Sequence, residues 1–110
     1  MNAYPIPVTF TSLAASSQLT KPFPINGQLV GFTTSFEGQA VNTDVQFNII
    51  LSNISVTDGF VNAPVFSNIV FPVVAPDWHR ILSVTGSGTV IAQNNSGSTA
   101  YTFTVVLLVR

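Results

Sequence analysis

The sequence predicts an all-β protein, an antiparallel β-sandwich or jelly roll of about seven or eight strands with an extended N-terminal arm. Three observations carry that prediction. Apolar residues recur at every second position wherever the chain is regular. Gly, Pro, Asn and Asp separate those runs at short intervals. No stretch has convincing helical spacing. At 110 residues the chain is one domain, able to bury roughly two thirds of its unfolded surface.

Residues 1–27 read as an arm and linker. Residues 8–13 offer a first strand, but Pro5, Pro7, Pro22 and Pro24 restrict the rest to extended or turn-like backbone. Residues 14–20 read as a Ser/Ala-rich turn or a single helical turn. In the linker, Phe23 lies between prolines and is expected to project as a knob. Tyr4, Phe23 and Ile25 are the arm residues expected to dock on a neighbouring subunit, although Phe23 would also fit against its own domain.

The sandwich domain is expected to span residues 28–110. Val30, Phe32, Thr34 and Phe36 alternate, and a turn follows at Glu37-Gly38-Gln39. Val41, Thr43, Val45, Phe47, Ile49 and Leu51 share one face of the next strand. The apolar parity changes after Leu51, so Ser52-Asn53 is a bulge or tight bend. Asp58-Gly59 predicts a hairpin turn. Residues 60–66 read as extended, with Pro64 excluding a fully bonded ladder. Pro72 and Pro76 make residues 69–73 an edge strand or a strand that leaves the sheet.

Residues 81–93 read as one long strand or as two joined at residues 85–88. Gly86 and Gly88 share the parity of Val84 and Val90, so a strip of one face has no side chain, which suits a bend or close approach of another backbone. Residues 94–98 form a polar turn, and the chain from Thr99 returns as the partner strand. There Tyr101, Phe103, Val105, Leu107 and Val109 line one face. Val106 and Leu108 make the opposite face apolar as well, which predicts cover from the arm or from a second subunit.

Charge excludes several classes of function. Charged residues make up 6% of the chain, against a usual share of roughly 25%. Lys21, Arg80 and Arg110 are the only basic residues, too few for a phosphate footprint, so nucleic acid is not an expected partner. The apolar run of residues 105–109 falls far short of a membrane span, and the first residues lack the pattern of a secretory leader. Without cysteine there are no disulfides, thiolate metal sites or cysteine nucleophiles.

Catalytic groups are equally sparse. The single histidine, His79, stands near Asp77 without a nucleophile elbow. Glu37, Asp44, Asp58 and Asp77 show no paired-acid spacing. Asp58 and Asp77 read as turn formers rather than calcium ligands. The expectation is a protein that is not an enzyme and has no cofactor or metal site.

Trp78, in Asp77-Trp78-His79-Arg80, has three readings: a cap on the end of the sandwich, a protein interface, or a ligand platform. As a platform it would act with His79, Arg80 and Tyr101 on a surface glycan. That defines the alternative function, a carbohydrate-binding or adhesin module, extracellular or at a cell surface.

The preferred reading follows from the terminal strand, the arm, the low charge and strand edges that lack lysine. It is a symmetric homo-oligomer, with a trimer preferred, working through protein–protein contacts with other structural proteins of an assembly. In general style the chain resembles components of virus particles, namely capsid decoration, vertex and fibre-head proteins, which implies a structural role in the virion.

Overall fold

In the computed structural model the first strand pairs with the last, and the pairing then nests inward. β1 (Tyr4–Leu13) runs antiparallel to β9 (Tyr101–Val109), and β2 (Ser17–Gly27) runs antiparallel to β8 (Val84–Asn94). β3 (Leu29–Phe36) takes the other side of β9 and then pairs with β7 (Phe71–Pro72). β4 (Val45–Leu51) takes the other side of β8 and pairs with β5 (Ile54–Ser55) and β6 (Val61–Asn62). The structure describes residues 4–37, 44–51, 53–67, 71–72 and 84–110. The result is two antiparallel sheets packed as a β-sandwich: sheet A in the order β1-β9-β3-β7 and sheet B in the order β2-β8-β4-β5, with β6 also on β4.

Period two builds the core as the sequence predicts. Val45, Phe47, Ile49 and Leu51 of β4 are fully buried, as are Val105, Leu107 and Val109 of β9. Phe10, Phe103 and Phe36 form one row across β1, β9 and β3. Their rings stack with centroids 5.2 and 5.3 Å apart. Phe32, Phe47 and Phe66 meet edge to face between the sheets, at 5.2 to 5.8 Å. Such ring geometry adds to the gain from area burial.

Residues 4–27 are built into the sandwich rather than extended from it as an arm. From Tyr4 to Gly27 they form β1, a turn and β2, one strand in each sheet. Proline breaks a central ladder, but an edge strand bonds on one side only and can turn the missing N–H outward. The terminal strand also differs from expectation. β9 does not pair with β8; residues 95–100 carry the chain from sheet B to sheet A.

Three local expectations are corrected. The register of β3 slips between Leu29 and Gly31, so Leu29 rather than Val30 joins Phe32 in the core. Asp58 and Gly59 both have positive φ, 56° and 96°, yet β5 and β6 pair with β4 and not with each other. Residues 60–66 are extended only at Val61–Asn62; Ala63–Phe66 is a 3₁₀ turn started by Pro64, whose fixed φ suits a first helical turn. Across the glycines the strand stays whole, because β8 runs unbroken through Gly86 and Gly88.

Candidate functional site

The outer face of sheet A is divided along its length. Register places Pro5, Leu108 and Gly31 in one row and Pro7, Val106 and Thr33 in the next. Val106 and Leu108 are half-buried and the two prolines exposed. Further along β9, Thr104 shares a hydroxyl hydrogen bond with Thr9 at 3.0 Å, and the Thr102 hydroxyl accepts from the Ser12 N–H at 2.9 Å. One half of this face is therefore largely apolar, with exposed Arg110 beyond its end, and the other is a lattice of hydroxyls.

The long strand edges are better guarded than composition suggests. β1 and β2 are the outer strands on one side of the sandwich, and each has two prolines. Lys21 of β2 reaches across to donate to the Thr9 carbonyl at 2.6 Å, with its ammonium 5.6 Å from the Phe10 ring centroid. On the other side β5, β6 and β7 are two residues each among the described residues. Prolines, a lysine and short strands are recognised defences against edge pairing.

The residues expected to dock on a neighbour are mostly spent within the chain. Phe23 and Ile25 are each 2% exposed and belong to the core. Their parity on β2 points them inward, while Pro22 and Pro24 face outward. Tyr4 is 47% exposed, and its hydroxyl donates to the Asn26 carbonyl at 3.4 Å. Tyr101, expected as part of a ligand platform, is buried, and its hydroxyl donates to Asp44 Oδ2 at 3.0 Å. Trp78, His79 and Arg80 lie outside the described residues. No group of three His, Cys, Asp or Glu able to hold a metal occurs among the described residues.

An array that sequence reasoning missed lies on the outer face of sheet B. Gln18, Gln93, Gln46 and Asn62 occupy one row across β2, β8, β4 and β6. Gln93 Nε2 donates to Asn95 Oδ1 at 2.6 Å, Asn95 Nδ2 to Gln46 Oε1 at 3.1 Å, and Gln46 Nε2 to Asn62 Oδ1 at 3.0 Å. Each amide donates a hydrogen bond to the next, so the chain has one direction. Where β2 begins and β8 ends, a shallow groove of about 360 Å³ is lined by Ser16, Ser17, Gln18, Gln93, Asn94 and Asn95. Strand parity marks the three glutamines as outward-facing, but only the pairing of remote strands puts them in line.

The groove is held by Asn94, which is 1% exposed. Its Nδ2 donates to the carbonyls of Leu13 at 2.9 Å and Thr99 at 2.7 Å, and its Oδ1 accepts from the Ser96 N–H at 2.9 Å. Across the gap between sheets, the Ser16 N–H donates to the Ser96 carbonyl at 3.0 Å. The β1–β2 and β8–β9 turns are thereby joined. No family model matches the sequence, and no curated protein or solved structure matches it either.

Proposed function

We propose that the sandwich is a jelly roll and that the chain is a non-enzymatic structural protein, acting as one copy of a symmetric homo-oligomer. The nested pairing, first strand with last and so on inward, supports the jelly-roll assignment. That architecture recurs in viral capsid and lectin domains. A virion component fits best: a capsid decoration, vertex or fibre-head protein, trimeric, in contact with other structural proteins of the particle.

The observation that carries this reading is the apolar half of the outer face of sheet A, with Pro5, Pro7, Val106 and Leu108 in adjacent rows. Contact between such faces buries apolar area, and symmetry brings like patches together around an axis. The guarded edges of β1 and β2 favour contact through the face over extension of the sheets. Light scattering on the purified chain tests the reading, with a trimer mass expected. Val106→Asp with Leu108→Asp should return a monomer whose far-UV circular dichroism is unchanged. A parent protein that stays monomeric at high concentration overturns the proposal.

The second reading, a carbohydrate-binding or adhesin module, draws its support from the amide-lined groove rather than from Tyr101.

A further inference from the structure

We infer that the groove at the end of sheet B binds a neutral saccharide through the side-chain amides of Gln18, Gln93 and Asn95. This stands apart from the assembly proposal, which uses the other sheet and the far end of the strands.

The hydrogen-bond inventory points to the ligand. Among the described residues the Gln18 amide has no side-chain partner, and the Gln93 Oε1 accepts from none. The two residues are register partners on neighbouring strands, so donors and a strong acceptor stand side by side at the groove. A sugar hydroxyl both donates and accepts, and a pair of adjacent hydroxyls matches such a pair of amides. An apolar ligand would desolvate those groups without satisfying them, at a cost for each.

Charge narrows the choice further. The groove lining has no ionisable side chain. Lys21 is committed to the Thr9 carbonyl, and Asp44 accepts from Tyr101. Among the described residues the groove lining offers an ion no opposite charge, which favours an uncharged polyol.

Most of the lining is anchored before any ligand arrives. Asn95 is fixed through its side chain to Gln46 and through its N–H to the Asp44 carbonyl at 2.7 Å. Ser17 Oγ donates to the Ala14 carbonyl at 2.5 Å, and Ser16 is tied to Ser96 by backbone and side chain. A preformed site loses little entropy on binding. At about 360 Å³ the groove lies near the lower bound for small-ligand sites, roughly 300 Å³, and its openness to solvent suits a sugar unit at the end of a chain.

The test is a nuclear magnetic resonance titration of the whole chain with the methyl glycosides of glucose, galactose, mannose and N-acetylglucosamine, and with lactose and sialyllactose. At least one neutral probe should move the side-chain amide signals of Gln18, Gln93 or Asn95 to saturation. Gln18→Ala with Gln93→Ala, both on the outer face, should weaken that binding at least about tenfold, or 1.4 kcal/mol, with the other resonances unchanged. Sialyllactose should bind no better than lactose. If no neutral probe moves these signals up to its solubility limit, or the double variant binds as the parent does, the inference is overturned. Stronger binding of sialyllactose would overturn it too. None of these outcomes depends on the mass of the oligomer, so the two proposals fail separately.

Discussion

The tip of the Phe23 ring stands 2.5 Å from the point a Cβ on Gly88 would occupy. Leu51 Cδ2 comes equally close from the other side, and the three residues form one row across β2, β8 and β4. A side chain is missing in the middle strand and its two neighbours lean in to fill the gap. The packing explains how an aromatic flanked by prolines becomes core. It also ties β2 to the sandwich, so that β2 is as structural as β8.

Gly88→Val should therefore destabilise the fold by at least about 1–3 kcal/mol, the usual cost of overpacking. Three heavy atoms, one of them the Ile50 carbonyl oxygen at 2.9 Å, would have to yield. Urea denaturation should show a lower midpoint with the slope unchanged. Gly97→Ala is the matched control, because nothing lies within 4 Å of a Cβ there. Equal midpoints for the two variants would refute the packing account.

Gly27→Ala should also destabilise, for a different reason. Gly27 has φ +134°, a region closed to side chains, and an added Cβ would strike the Arg110 carbonyl oxygen. That oxygen accepts from the Gln28 N–H, and the Arg110 N–H donates back to the Gln28 carbonyl at 2.8 Å. Strain of about 1–3 kcal/mol is expected, together with loss of this paired bridge. Hydrogen exchange at the Gln28 and Arg110 amides should speed up before the rest of β9 does. Unchanged protection at both would sink the explanation.

What the sequence made legible was local. Period two gave the inward faces of β4 and β9, and the glycine strip on β8 marked a close approach, although the side chains of Phe23 and Leu51 come nearer to Gly88 than the backbone carbonyl of Ile50 does. What it hid was pairing at long range. Pro5 and Pro7 read as part of an extended or turn-like arm because the sequence does not show that β1 needs only one neighbour, and that neighbour is β9, about a hundred residues away. Val106 and Leu108 were placed on the outer face by parity, but the prolines beside them were not foreseeable. The amide row depends on the joint register of β2, β8, β4 and β6, so no window of sequence contains it.

Asn94→Ala should cost about 3 kcal/mol or more. The side chain satisfies two carbonyls and one N–H in a buried position. Leaving such groups unpaired costs about 1–3 kcal/mol for each. Asn94 also heads an Asn-Asn-Ser triplet of the glycosylation pattern, and its committed Nδ2 leaves no free acceptor for a sugar. Thermal unfolding followed by circular dichroism should separate this variant from Asn95→Ala, which alters only exposed hydrogen bonds. Comparable melting temperatures for the two would show that Asn94 does not hold the turns together.

Lys21→Ala should leave the fold nearly as stable and make the protein prone to associate through its edge. The ammonium sits near the Phe10 ring at 5.6 Å, a contact worth about 0.5–1 kcal/mol where water has access. Its larger role is at the free edge of β1, where it covers the Thr9 carbonyl. Unpaired edge carbonyls recruit strands from other molecules, and lysine at an edge opposes this by charge and bulk. Light scattering against concentration should show larger, polydisperse species for the variant. Addition of Val106→Asp and Leu108→Asp should not prevent them, because edge association does not use the outer face of sheet A. If the three substitutions together give a clean monomer, Lys21 guards the same contact as the face, and the separation of edge from face argued for this fold is wrong.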